Sequence, residues 1–131
     1  MSTVHDLRPQ PQPRRRVLVV EDNLDSVRSM AMLLRMVGHE VEFAINGFAA
    51  MDIARRFRPD VILLDIGLPD VRGDKIAHQL KYEPGLEKTR IIAITGLPLD
   101  EVRQRGLEAG CEAVYAKPLA PTVLEDLVAG G

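Results

Sequence analysis

Four charged side chains stand where short apolar runs stop. Glu21 and Asp22 follow Val17-Leu18-Val19-Val20, Asp65 follows Val61-Ile62-Leu63-Leu64, and Lys117 follows Ala113-Val114-Tyr115-Ala116. Such runs read as strands buried on both faces of a parallel sheet, and open parallel sheets bind ligands at the carboxyl edge of their strands. Three runs therefore deliver three carboxylates and one ammonium to the same crevice. If the carboxylates lie ~4 to 6 Å apart, each pair repels by roughly 3 to 4 kcal/mol at an effective dielectric near 20. One lysine does not offset that. A hard divalent cation does, and few protein oxygens favour Mg2+, which keeps several of its waters. Such a site suits phosphoryl transfer, in which a carboxylate attacks phosphorus to form an acyl phosphate. The metal and the ammonium then neutralise the equatorial oxygens. Thr95 ends a fourth apolar run and brings a hydroxyl to the same edge, and Gly96 after it leaves room for a phosphoryl group.

Alternating strand and helix signals supply the frame from Arg16 onward. Asn23 and Asp25 are candidate N-caps of a helix with Val27, Met30, Ala31, Leu34 and Val37 on one face, closed by Gly38. Residues 41–44 read as a strand nearer an edge, because Glu40 and Glu42 interrupt it. Asn46-Gly47 opens a helix carrying Ala50, Ile53, Ala54 and Phe57, which stops before Pro59. After the strand 61–64 come a loop over 66–72 and a short helix with Ile76, Ala77 and Leu80. Glu83-Pro84-Gly85 is a turn. Residues 91–94 and 113–116 are strands, and 100–109 and 121–128 are helices, with Pro121 suited to a first turn. Five βα units with short connections predict an α/β fold: a doubly wound five-stranded parallel sheet in a three-layer α/β/α sandwich. Ahead of it, Pro9, Pro11, Pro13 and Arg14-Arg15-Arg16 predict a disordered, solvated tail over 1–15, leaving 16–129 as the domain.

Missing motifs narrow the chemistry. There is no G-x-x-x-x-G-K-[ST] after the first strand, no G-x-G-x-x-G and no G-x-S-x-G. His5, His39 and His78 follow no strand and read as solvated. A net charge of −2 gives no general attraction to nucleic acid or an anionic membrane. No apolar run approaches the ~20 residues of a membrane span. The single Cys111 excludes an internal disulfide, fits a reducing cytoplasm, and reads as a small buried hydrophobe.

From Arg16 to about Val128 the chain resembles the receiver domain of two-component response regulators. The resemblance rests on Glu21-Asp22, Asp65-Ile66-Gly67-Leu68-Pro69 with Gly73, Thr95-Gly96, Glu108-Ala109-Gly110 and Lys117-Pro118, in the family's order. It implies a flavodoxin-like sheet of strand order 2-1-3-4-5, an order for which a receiver is one of the standing examples. It implies Asp65 as the phosphoacceptor, with Mg2+ held by Asp22, Asp65 and the Gly67 carbonyl and by Glu21 through water. Thr95 is then the switch hydroxyl, and Lys117 the cation on the phosphoryl oxygens, in a cis Lys117-Pro118 bond. The implied donor is a phosphohistidine on a sensor histidine kinase or histidine phosphotransfer protein. The implied output is a protein contact or self-dimer through the fourth helix, fifth strand and fifth helix, where Leu97, Leu99 and Tyr115 add apolar area. Enzymatic activity is then limited to self-phosphorylation and autodephosphorylation.

Three positions depart from the family pattern. Val114 stands where it commonly has Tyr or Phe, and strand alternation turns Tyr115 to the other face. Gly67 offers no side chain to shield an acyl phosphate. Gly106 inside the fourth helix predicts a soft element that shifts on phosphorylation. The chain is expected to carry no DNA-binding or catalytic effector. It stands alone or forms the receiver piece of a longer regulator or hybrid histidine kinase, and a pseudo-receiver acting as a constitutive interaction module is the alternative.

Overall fold

The expected alternation holds across residues 14–67 and 72–130, which the computed structural model of the chain describes. The tail up to residue 13, with His5, and the Leu68-Pro69 part of the 66–72 loop lie outside the described residues. The elements run β1 Arg16–Val20, α1 Leu24–Met36, β2 Glu40–Ala44, α2 Gly47–Phe57, β3 Val61–Asp65, α3 Gly73–Lys81, β4 Arg90–Thr95, α4 Leu99–Glu108, β5 Ala113–Ala116 and α5 Pro121–Ala129. The strands pair in parallel in the order β2-β1-β3-β4-β5, so β2 does lie at an edge.

Strand alternation splits the core into two layers. Leu18, Val20, Ile62, Leu64, Ile91, Ala93 and Val114 pack against Ala50 and Ala54 of α2, Ile76 of α3 and Val102 of α4. Val17, Val19, Val61, Leu63, Ile92 and Ile94 pack on the other face against Val27 and Leu34 of α1 and Leu124 and Val128 of α5. The result is the three-layer α/β/α sandwich with a flavodoxin-like strand order.

Local chemistry sets the helix ends. The Asn23 side chain accepts from Ser26 N at 2.9 Å, and the Asn46 side chain from Ala49 N at 2.8 Å. Asp25 lies in the first turn of α1, where its charge suits the helix dipole. Val37, expected on the buried face, is instead the C-cap and is exposed, because Gly38 follows at φ +102° and turns the chain away.

Gly106 has a packing reason. A Cβ there would stand 2.7 Å from Val114 Cγ2, so α4 lies directly on β5. Gly106→Ala gains about 1 kcal/mol of helix propensity but must displace a stiff β-branched side chain. We expect a net destabilisation of about 1 to 2 kcal/mol, largely relieved when Val114→Ala is added. A denaturant double-mutant cycle measures that coupling.

His39 is buried rather than solvated, 5% exposed, because the turn after α1 folds it under the start of β1. Its Nδ1 accepts from Arg15 N at 3.0 Å, and Arg15 O accepts from Glu40 N at 2.9 Å. Burial, with the Arg15 charge beside it, lowers the His39 pKa below the ordinary imidazole value, Glu125 opposing weakly. The unfolded chain therefore binds this proton more readily than the folded one. Its contribution to stability is complete above about pH 6.5 and is lost as pH falls below that. Urea midpoints at pH 7.5 and 5.5 should drop more for the wild type than for His39→Gln.

Candidate functional site

Sheet hydrogen bonding continues one residue past three strands and places the expected site residues. Glu21 N donates to Ala44 O at 3.0 Å, Ile66 N to Ile94 O at 3.1 Å, and Lys117 N to Thr95 O at 2.8 Å. Asp65, the last residue of β3, sits beside Ile94 of β4. The Lys117-Pro118 peptide bond is cis.

The side chains converge. One oxygen each of Glu21, Asp22 and Asp65 lie within 4.8 Å of one another. Lys117 Nζ donates to Asp65 Oδ2 at 2.8 Å and forms an ion pair with Glu21 Oε2. Gly67 N donates to Asp65 Oδ1 at 2.8 Å, and Asn23 N to Glu21 Oε1 at 3.3 Å. Glu21 and Asp65 are 2% and 5% exposed, whereas Asp22 is open to solvent. Glu21 and Asp65 are thus held by one ammonium and two amides, and Asp22 alone of the three carboxylates is open to solvent.

The electrostatics follow from this burial. Desolvation pushes the Glu21 carboxyl above its usual range, the Lys117 ammonium offsets part of that, and the Asp65 charge adds to the rise. Burial alone would lower the Lys117 pKa, but Asp65 and Glu21 outweigh it and raise it, so the ammonium keeps its proton. Three carboxylates against one ammonium leave the cluster short of positive charge. At 4.8 Å one carboxylate pair repels by about 3 kcal/mol near a dielectric of 20, an upper figure for exposed Asp22. This all-oxygen donor set fits a hard divalent cation.

Thr95 is fully buried at the end of β4, and its Oγ1 accepts from Leu97 N at 2.8 Å. The hydroxyl therefore anchors the β4–α4 turn. Val114 packs on the α4 side of the sheet and Tyr115 on the α1/α5 side, as alternation predicts. Of the three residues expected to add apolar area, Leu97 is 45% exposed, whereas Leu99 and Tyr115 pack against the two core layers. Gly67 is exposed, and a Cβ on it would lie 3.4 Å from Asp65 Oδ1. Cys111 is buried, and desolvation pushes its thiol to about 11, so it is an inert hydrophobe. His78 is exposed on α3, its ring 4.8 Å from that of Tyr82.

Two site features had little sequence signal. The Gly67 and Asn23 amides are backbone donors, invisible to residue type. Gly73, quoted above for the motif, gains a physical reason: its N–H donates to Ile66 O at 3.2 Å, and its α-carbon packs against the Asp65–Ile66 backbone. Beside the site, a groove of about 360 Å3 runs between α1 and the β5–α5 loop, apolar at Met30, Pro118, Leu119 and Leu124, with Glu21 and Lys117 at its end.

Comparison with known proteins agrees with this geometry. Residues 17–129 match the family described as the response regulator receiver domain. The polar-differentiation response regulator DivK of Brucella anthropi is 36% identical over 112 residues, covering 85% of this chain and 91% of that protein. The chemotaxis response regulator CheY4 of Vibrio cholerae superposes with a TM-score of 0.80 at 27% identity, covering 88% of this chain and 96% of that one. The signal receiver domain of a DNA-binding response regulator from Colwellia psychrerythraea gives 0.79 at 29% identity, over 86% and 94%. With the family match over residues 17–129 and the strand order β2-β1-β3-β4-β5, the chain belongs to the response regulator receiver domain family of two-component systems.

Proposed function

We propose that Asp65 accepts a phosphoryl group from a phosphohistidine on a sensor histidine kinase or histidine phosphotransfer protein, and that the acyl phosphate switches protein contacts. The observation that carries this reading is the convergence of Lys117 on Asp65 and Glu21 within an acidic cluster. An Asp65 oxygen attacks phosphorus, the P–N bond to the donor imidazole breaks, and that nitrogen takes a proton from solvent. Lys117 is placed to follow the charge from the carboxylate onto the phosphoryl oxygens. Glu21, Asp22 and Asp65, with the Gly67 carbonyl, are the residues that would hold Mg2+. When bound, the cation neutralises charge on the transferring group. Water later attacks the acyl phosphate, releases inorganic phosphate and returns Asp65 to its carboxylate.

The Thr95 hydroxyl is the residue that reports the change. Its O–H is free to turn toward a phosphoryl oxygen while its lone pair stays on Leu97 N, which transmits the move to the β4–α4 turn. The output is a protein partner or self-dimer on the α4-β5-α5 face, with no direct role for nucleic acid or membrane. Among the described residues no helix is long and apolar enough to cross a membrane, and we place the protein in the cytoplasm. The activated DrrB receiver domain, 28% identical over 88% of this chain with a TM-score of 0.78, is described as activated by BeF3.

Incubation with a small acyl-phosphate donor, followed by intact mass, tests the reading. One phosphoryl group per chain should appear with Mg2+, at least about tenfold more slowly under chelation. No uptake in either condition contradicts it and favours a constitutive binding module.

A further inference from the structure

At the opposite, amino-terminal edge of the sheet lies a cavity of about 150 Å3 lined by Arg15, Asp60, Val61, Lys88 and Arg90. Two guanidinium arms cross from the strand starts to the end of α5. Arg90 is fully engaged: it pairs with Glu112 at 2.7 and 2.9 Å and donates to the carbonyls of Leu127, Val128 and Gly130. Arg15 donates to Ala129 O at 3.1 Å, a neutral partner, and its Nε is buried with no hydrogen-bond partner. Lys88 is exposed and forms no ion pair or hydrogen bond among the described residues. Asp60, which lines the cavity, accepts from Arg16 N at 2.8 Å through its Oδ2, and its Oδ1 has no hydrogen-bond partner among the described residues.

The cavity therefore offers two cations without acidic partners and one carboxylate. A plain anion gains the cations but meets the carboxylate. An anion that also carries an acidic O–H satisfies all three, and the volume admits one tetrahedral oxyanion but no nucleotide. We propose that this cavity binds inorganic hydrogen phosphate, with the Arg15 guanidinium and Lys88 Nζ donating to its oxygens and its P–OH donating to the Asp60 carboxylate. Free phosphate keeps a P–OH near neutral pH, whereas a phosphomonoester with a second pKa of about 6 has mostly lost it, and sulfate has none. Bound phosphate ties the start of β1 to the turn before β4. It lies at the other end of the strands from Asp65, so it acts on the fold and not on phosphoryl transfer.

Amide-resolved titration of the full chain, with chelator present and ionic strength held constant, tests this. Phosphate should give saturable shifts at Arg15, Asp60 and Lys88. Sulfate and glycerol phosphate at pH 7.5 should bind at least about fivefold more weakly, and chloride should do nothing. Lys88→Gln, at an exposed position, should weaken phosphate roughly fivefold to tenfold, and Asp60→Asn should close the gap between phosphate and sulfate. Shifts that chloride reproduces, that never saturate, that survive Lys88→Gln unchanged, or that appear only around Lys117 would overturn the proposal.

Discussion

Asp65→Asn is expected to lower phosphoryl uptake at least a hundredfold while leaving the fold in place. The amide keeps the size of the carboxylate, and its oxygen can still accept from Gly67 N, which now reaches Asp65 Oδ1 at 2.8 Å. What it loses is the anionic oxygen that attacks phosphorus. No neighbour replaces it: Glu21 is buried against the Lys117 ammonium, and Asp22 is open to solvent. Lys117→Ala separates nucleophile from charge stabilisation. It retains Asp65 but removes the one cation that pairs with it among the described residues, and should slow uptake by about 10^2. Time courses of intact mass with a small acyl-phosphate donor and Mg2+ measure both. Asp65→Asn at wild-type rate would move the nucleophile elsewhere.

Gly73→Ala should be the most disruptive added methyl near the site. A Cβ at this position would overlap Ile66 Cα and stand 2.7 Å from Asp65 O and 2.8 Å from Ile66 Cγ2. Two of those three atoms are backbone, anchored by the bond from Ile66 N to Ile94 O, so the chain cannot yield without moving β3. A loss of about 3 kcal/mol is expected, and with it a displaced Asp65. At Gly96 an added Cβ meets nothing within 4 Å, so Gly96→Ala should be nearly neutral in stability. Urea midpoints of the two variants make the comparison. Equal midpoints would remove close packing as the reason for glycine at 73.

The frame and the acidic site were legible because both follow from burial. A run such as Val61-Ile62-Leu63-Leu64 is stable only inside a sheet covered on both faces, and the charged residue ending it must then stand at the sheet edge. Asp65, Glu21 and Lys117 were readable for that reason, as was the opposite facing of Val114 and Tyr115. What sequence could not supply were contacts between distant elements. Gly106 read as a weak point in a helix, since propensity knows nothing of Val114 lying 2.7 Å from its absent side chain. His39, a lone polar residue between Gly38 and Glu40, has no periodicity to mark it as buried; its burial depends on Arg15 crossing above it. The apolar residues Leu97, Leu99 and Tyr115 looked equivalent, and only their packing separates the exposed leucine from the two half-buried side chains.

The most direct measurement is chemical trapping of the phosphoryl group. Borohydride reduces an aspartyl phosphate to homoserine, which peptide mass spectrometry locates by residue. After brief phosphorylation with Mg2+, homoserine should appear at position 65 and be absent when the cation is chelated. Homoserine at another carboxylate, or phosphorylated protein with no reducible acyl phosphate, would contradict Asp65 as the acceptor.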